Sequence, residues 1–470
     1  MKILFCSSEI VPFAKTGGLA DVAGALPLAL EDLGLEVAVV MPKYKSIDAQ
    51  KFSIKEIGKD IYAAKIGKNI CVYFIENNKY FERDGLYGEK TGDYLDNLER
   101  FSFFSLRALQ LMRQIDFKAD IIHCNDWQTA LIPIYLKNFY KDKPFFKTMK
   151  TVLTVHNLAY QGLFDKKEYP KLDLDWKYFN IDGLEFYDKI NILKGGLVFS
   201  DIVTTVSQTY AQEIQTKEFG CGLEGLLAKR SNSIFGVING LDYNIWDPAK
   251  DKMIYKVYSE AHLEDKYLNK TGLQKECALN ANLNTPLIGF VGRLSSQKGL
   301  DILAEAIEQI ARLDLQMVFL GTGEIKYHLI LENIAKKYPK NISLHIKFDD
   351  TLAHKIYAGC DMFLMPSGYE PCGLGQMISL KYATIPIVFK TGGLADTIVD
   401  FDPLTEEGNG FVFDYYHKDD LLKTLKCAIY FYKDKTVWHK LLKRAVKYDF
   451  SWKESAKKYL DIYKKCLSLE

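Results

Sequence analysis

Short apolar runs alternate along this chain with longer stretches in which apolar positions recur at helical spacing. The first run, Ile3–Cys6, predicts a buried strand. A loop follows through Gly18, and helical spacing then extends from Leu19 to about Leu33, with Gly34 as a natural stop. Glu36–Met41 predicts the next strand and completes a βαβ unit. Pro27, inside the helical stretch, either kinks that helix or marks its start. The rhythm continues with a strand at Ile70–Ile75, a helix around Leu98–Arg113, and strands at Asp120–His123 and Thr151–Val155. It restarts in the second half with strands at Leu287–Val291, Met317–Leu320, Ile342–Ile346, Met362–Met365 and Ile385–Phe389, and an amphipathic helix is expected over 451–467. Such alternation predicts an α/β fold with parallel sheets covered by helices on both faces. Ligands in that architecture collect beyond the carboxyl ends of the strands. Glu9, Lys15, Asp126, His156 and Asn157 all fall just after predicted strands.

Between Ser231 and about Glu260 the alternation fails. Asn239-Gly240, Asp247-Pro248 and a mixed-charge run are turn and linker signals, and they place a domain boundary there. A length of 470 residues also favours two cores over one. The expected division is a Rossmann-like domain over 1–240, a second over 241–450, and a closing helix over 451–470.

One stretch occurs twice. Lys15-Thr16-Gly17-Gly18-Leu19-Ala20-Asp21 returns letter for letter as Lys390-Thr391-Gly392-Gly393-Leu394-Ala395-Asp396, each time between a strand-like run and a helical one. Paired glycines let backbone amides approach a ligand, and the neighbouring lysine supplies a charge suited to phosphate. One such pair is ordinarily only a tight turn. Two identical copies at equivalent junctions predict similarly built domains, each contributing a lip to a shared cleft.

Bulk composition acts mainly by exclusion. A net charge of +1 gives no global field for nucleic acid or an anionic membrane, so neither is an expected partner. Nine scattered cysteines without a CxxC pair argue for a reducing, cytoplasmic setting. The first residues turn polar too early for a signal peptide, and no apolar run is long enough to span a bilayer.

Two further loops carry candidate chemistry. Arg293 and Lys298, on a glycine-rich strand-to-helix loop, combine a fork donor with a point charge and suit a diphosphate, whereas an exposed basic loop is ordinarily just solvated. Glu370-Pro371-Cys372-Gly373-Leu374 opens a helix. The amides of Cys372, Gly373 and Leu374 there would meet hydroxyls or phosphate, and Glu370 would accept from sugar hydroxyls. Cys372 at a helix start suggests a nucleophile, but with no histidine to complete a dyad a small residue packed beside the site is the preferred reading. Other motifs are decoys. Gly321-Thr322-Gly323 lacks the third glycine of a dinucleotide fingerprint because Lys326 holds that place. His123-Cys124-Asn125-Asp126 has no paired cluster to make a zinc site. Asp349-Asp350 and Asp173-Leu174-Asp175 read as solvated loop or cap residues.

Together these motifs resemble the glycogen and starch synthase family over essentially the whole chain. The segments that carry the resemblance are Lys15 to Asp21, His156 to Gly162, Asn239-Gly240, Arg293 to Gly299, Glu370 to Leu374, Lys390 to Asp396 and Phe450-Ser451-Trp452. The resemblance implies the GT-B fold, two Rossmann-like domains facing a deep cleft with the final helix crossing back. It also implies glucose transfer from ADP-glucose to an α-1,4-glucan such as glycogen, releasing ADP, with retained configuration and neither metal nor cofactor. By analogy Lys15, Arg293 and Lys298 hold the diphosphate, with Gly17 and Gly18 on the phosphate loop. Glu370, His156, Asn239 and Asp126 surround the donor glucose, together with the Cys372 to Leu374 amides. Phe348 falls where a base-stacking tyrosine is frequent, and Glu9 and Tyr87 lie on the acceptor side. Gly375 departs from a common threonine, and Cys124-Asn125 from a common Ala-His. A UDP-glucose donor, an epimerase of the same fold and a glucan-binding regulator remain the alternatives; an epimerase would turn over donor alone. Oligomeric state is not legible.

Overall fold

The computed structural model describes residues 1–89 and 92–469. The chain forms two compact units, Met1–Gly240 joined by the segment from Trp452 onward, and Leu241–Ser451.

Among the described residues, the first unit is built on a nine-stranded sheet. Its strand order is Ile234–Gly236, Ile202–Thr205, Lys150–Val155, Ile121–Asn125, Lys2–Cys6, Glu36–Pro42, Ile70–Ile75, Ile61–Ile66 and Lys55–Gly58. All neighbours through Ile70–Ile75 pair in parallel, and the last two strands add an antiparallel edge. Ile3 to Cys6 are fully buried, as the unbroken apolar run predicts for a strand covered on both faces. The edge strand Lys55–Gly58 is exposed throughout and carries Lys55 and Glu56, charges that discourage edge-to-edge pairing.

Predicted element ends fall within a residue or two of those observed. The first helix is Gly18–Asp32, and Pro27 lies buried in its interior, so it does not mark the start. Strands Ile61–Ile66, Ile202–Thr205 and Phe411–Phe413 escape the pattern reading because they are short or break their apolar run with Tyr, Lys or Thr.

The final helix, Trp452–Leu467, buries Trp452, Ala456, Tyr459, Tyr463 and Cys466 along one stripe and packs on Gly18–Asp32 and Lys150–Val155. Gly240 admits it closely, since a methyl there would collide with the backbone of Trp452. Its Tyr463 hydroxyl meets His123 Nδ1 at 2.6 Å, His123 Nε2 meets Thr154 Oγ1 at 2.6 Å, and Thr154 meets Thr204 at 2.6 Å. His123 is therefore a satisfied core histidine, not a ligand. Burial holds its pKa down at about 3.

In the second unit the sheet order is Ile342–His345, Gln316–Leu320, Leu287–Val291, Met362–Met365, Ile385–Phe389 and Phe411–Phe413, all parallel. This is the doubly wound order 3-2-1-4-5-6. In both sheets the winding reverses beside the strand that begins the unit's sheet in chain order: Lys2–Cys6 next to Ile121–Asn125, and Leu287–Val291 next to Met362–Met365. The loops diverging beyond those strand ends leave a crevice. No described helix is long and apolar enough to cross a membrane.

His123 gives a signed pH prediction. Its folded pKa, about 3, lies below the roughly 6.5 of an exposed histidine, so the unfolded chain binds the proton first as pH falls. Its contribution is fully present above pH 6.5 and is lost progressively toward pH 3. The fall in thermal midpoint between pH 7 and pH 5 should therefore shrink in a folded His123→Gln variant. An unchanged pH slope refutes the assignment.

Candidate active site

In the first unit the chain leaves strand Lys2–Cys6 and turns through Glu9 before entering the glycine loop. The Glu9 carboxylate is 4 % exposed and is committed to that loop. Its Oε2 accepts from Thr16 N at 2.5 Å, Thr16 Oγ1 at 2.9 Å and Gly17 N at 3.3 Å. Lys15 Nζ pairs with Asp21 Oδ1 at 2.7 Å on the exposed side of the loop. A Cβ on Gly17 would touch only Glu9 Oε1, at 3.9 Å, and one on Gly18 would touch nothing within 4 Å. The surface in front of this glycine pair is open.

Across the reversal point, strand Ile121–Asn125 delivers Asp126 with φ +53°, an uncommon conformation for a residue with a side chain. Its Oδ1 accepts from His156 N at 2.7 Å. Burial raises the Asp126 carboxyl to about 7, against the lowering effect of the His156 and Asn157 amides. His156 is pushed the other way by burial, to about 4, with Glu9 close enough to pull it partly back. The imidazole is thus neutral at pH 7. Asn125 fixes its tautomer: Nδ2 donates to Cys6 O at 3.0 Å, so Oδ1 faces His156 Nε2, 2.9 Å away, and receives its proton. This leaves Nδ1 as the acceptor. The role of Asn125 needs three adjacent strands and is invisible without the register. Tyr87 meets Ser8 Oγ at 2.7 Å beside Glu9, and burial holds its phenol well above the usual range. Asn239, 8 % exposed, keeps an Oδ1 with no partner among the described residues.

In the second unit the loop after Leu287–Val291 carries Arg293, and a short 3₁₀ turn, Ser296–Lys298, carries Lys298. Gly299 follows at φ +78°, and a methyl there would collide with Pro366 O, so glycine is required where this loop meets the end of Met362–Met365. Gln297 Nε2 donates to Tyr369 O at 3.3 Å and Gly368 N to Gln297 O at 3.2 Å, which ties the two loops together. Lys298 Nζ thereby reaches Glu370 Oε2 at 2.6 Å, with side-chain exposures of 27 % and 8 %. Leu374 caps the helix Gly375–Lys381, so Cys372, Gly373 and Leu374 stand at its amino end as expected. Gln376 Nε2 braces the turn by donating to the carbonyls of Cys372 and Gly373, both at 3.0 Å. Phe348 is 93 % exposed. A Cβ at Gly375 would sit 3.0 Å from the Phe363 ring, 3.1 Å from Met365 Sδ and 3.2 Å from the Tyr357 hydroxyl, so those side chains leave little room for a larger residue.

The second copy of the repeat departs from expectation. Its glycines do not form an open lip. Gly392, at φ +41°, abuts Glu370 O, and Gly393 abuts Cys372 O while donating its amide to Glu370 O at 3.0 Å. Lys390 turns to Asp414 at 2.9 Å. Identical sequence therefore serves two purposes: an open amide loop in one unit and a backbone buttress under Glu370 in the other. The decoy glycines are explained similarly. Methyls at Gly321 and Gly323 would strike Gly292 O and Leu294 O, so the Gly-Thr-Gly run exists to support the Arg293 loop. Asp349 and Asp175 accept from Leu352 N and Lys177 N, both at 2.9 Å, as helix caps. Among the described residues no group of three or more His, Cys, Asp or Glu is arranged to hold a metal ion.

Comparison with known proteins gives a consistent result. Residues 2–229 match the starch synthase catalytic domain family, and residues 275–445 match glycosyl transferases group 1. The chain is 47 % identical to glycogen synthase of Geotalea uraniireducens, covering 100 % of this chain and 99 % of the relative, and 46 % identical with the same coverage to that of Thermotoga maritima. Among solved structures it is similar to the catalytic domain of starch synthase IV from Arabidopsis thaliana bound to ADP and acarbose, with a TM-score of 0.87, 34 % identity, and 100 % and 99 % of the two chains covered. Sucrose-phosphate synthase from Thermosynechococcus elongatus shares the fold, at TM-score 0.61 and 17 % identity over 99 % and 98 % of the chains.

The two glycine pairs make opposite predictions. Gly393→Ala should destabilise the second unit by at least the roughly 1–3 kcal/mol typical of overpacking, while Gly18→Ala should melt like the parent. Equal melting of both variants, followed calorimetrically, would refute the division of roles.

Proposed function

The chain belongs to the glycogen and starch synthase family of glycosyltransferases and has its GT-B fold, and we propose that it transfers glucose from ADP-glucose to the non-reducing end of an α-1,4-glucan with retention of configuration. The observation that carries this reading is the Lys298–Glu370 pair at the winding reversal of the second sheet. A diphosphate clamp beside a buried carboxylate suits a sugar nucleotide, whereas simple glucan binding requires no phosphate-binding group. A cytoplasmic setting fits nine cysteines scattered without a CxxC pair.

Breaking the bond between glucose and diphosphate builds negative charge on the leaving group, and fixed donors aimed at that charge lower the barrier. In this reading Lys15, Arg293, Lys298 and the amides of Gly17 and Gly18 supply that field. The amides of Cys372, Gly373 and Leu374 reinforce it from the helix start. Several of these groups already hold a carboxylate of the chain: Asp21 on Lys15, Glu9 on the loop amides, and Glu370 on Lys298. Diphosphate binding then exchanges one anion for another and does not create a charged site anew. As phosphate takes Lys298, the Glu370 carboxylate turns to the sugar hydroxyls. The sugar ring gains positive character, and Glu370, Asp126 and neutral His156 position it, with Asn239 offering an oxygen that has no partner among the described residues. The acceptor hydroxyl attacks from the face the diphosphate leaves and passes its proton to the departing phosphate. Phe348 offers the nucleotide base an exposed ring.

Lys298→Ala and Glu370→Ala should each lower turnover by about 10²–10³-fold, and Lys298→Ala should also lower the melting temperature because it leaves Glu370 buried without its partner. Near-parental rates in both folded variants overturn the assignment. Incubation with ADP-glucose and UDP-glucose, each with and without glycogen, tests the reaction itself. Glucose incorporation that requires glycogen and prefers ADP-glucose is expected; turnover of donor alone identifies the epimerase class.

A further inference from the structure

Arg100 is 0 % exposed, on the helix Asn97–Gln114. Its guanidinium donates to three neutral acceptors: Nε to Tyr80 O at 2.7 Å, Nη1 to Asn97 Oδ1 at 2.6 Å and Nη2 to Leu86 O at 3.0 Å. Burying a cation that meets no carboxylate among the described residues is costly, and burial shifts this one downward from the usual arginine range. The acceptors show what the cation does. Two are carbonyls of the segment that carries Tyr87, and the third, Asn97, passes the constraint on by donating Nδ2 to Tyr87 O at 2.9 Å. Tyr94, whose amide also donates to Tyr87 O, has its ring flanked by Arg83 at 4.7 Å and Arg100 at 4.9 Å, and Arg83 is held by Asp96 at 2.7 and 2.6 Å. From Tyr87 the path continues through its hydroxyl to Ser8, which directly precedes Glu9, whose carboxylate accepts from the glycine-loop amides. Tyr44, with a buried hydroxyl unpartnered among the described residues, lies within electrostatic reach of both Arg100 and Glu9.

We propose that Arg100 is a positioning residue for the glucan acceptor: acting through Asn97, it sets the Tyr87 loop at the height where the Tyr87 hydroxyl meets Ser8. The inference rests on the reading of Tyr87 and Glu9 as acceptor-side groups. Purely structural support would weaken every function of the first unit together. Positioning of Tyr87 weakens acceptor handling and leaves the nucleotide contacts of the other unit intact.

The test uses full-length Arg100→Lys, Asn97→Ala, Tyr87→Phe and the Arg100→Lys/Tyr87→Phe double variant. ADP affinity is measured by calorimetry, glycogen binding by mobility in glycogen-containing native gels, and KM for glycogen separately from KM for the donor. Arg100→Lys and Asn97→Ala should raise the glycogen KM about tenfold, the scale of one lost hydrogen bond to a charged group, and weaken retardation by glycogen. ADP affinity should stay within about twofold. The double variant should be no worse than about twofold beyond the weaker single variant, because both changes act through one loop. An unchanged glycogen KM in Asn97→Ala, parallel losses of ADP and glycogen binding, or full additivity overturns the proposal; Asn97→Ala decides the matter should Arg100→Lys not fold. Parental protein that neither transfers to glycogen nor is retarded by it overturns the functional reading as well, whereas an active parent with unaffected variants overturns this inference alone.

Discussion

A carboxylate buried beside a lysine, where a doubly wound sheet reverses direction, is the interaction on which the second unit's site depends. Glu370 is almost wholly removed from solvent, and a lone carboxylate there would be costly. Lys298 resolves this at 2.6 Å, but only because two loops leaving adjacent parallel strands are brought together. Gly299 permits their approach, Gln297 ties them, and Gly392 with Gly393 supports the carboxylate's backbone from beneath. The charged pair is the visible part of a backbone arrangement that leaves no room for side chains at several positions.

The first unit solves a related problem differently. Its reversal point holds Glu9, whose carboxylate occupies loop amides, and a strained Asp126 whose neighbour His156 is held neutral by burial and oriented by Asn125. Amide donors, an oriented imidazole and a carboxyl near 7 form a polar field with few net charges. That suits a sugar ring, while the cations at the loop margins suit phosphate. The division follows from topology: loops beyond the ends of parallel strands are where amides, imidazoles and carboxylates can gather without breaking the sheet.

The repeated heptapeptide shows why sequence identity is an incomplete guide to role. Both copies lie at strand-to-helix junctions, but only the second is held to glycine by its packing. At Gly18 the missing side chain leaves open space, whereas at Gly393 the space is already taken by Cys372 O. Glycine is selected by what lies next to it, and for the second copy that neighbour is some twenty residues away in sequence on another loop. The Gly-Thr-Gly run at 321–323 teaches the same lesson: it resembles part of a nucleotide fingerprint and in fact supports the Arg293 loop.

Alternating strand and helix patterns, the linker signals near Asn239, and the positions of Glu9, Lys15, Asp126, His156, Arg293, Lys298 and Glu370 after predicted strands were all legible in the chain itself. They are local properties: periodicity records which face is buried, and turn residues record where the backbone must bend. Pairing was not legible. That Lys298 meets Glu370, that Asn125 orients His156 across neighbouring strands, and that Arg100 reaches the segment carrying Tyr87 are contacts between positions separated in sequence. Only sheet order and register bring such groups within hydrogen-bond distance, because their energies depend on separation in space and no pattern along the chain encodes it.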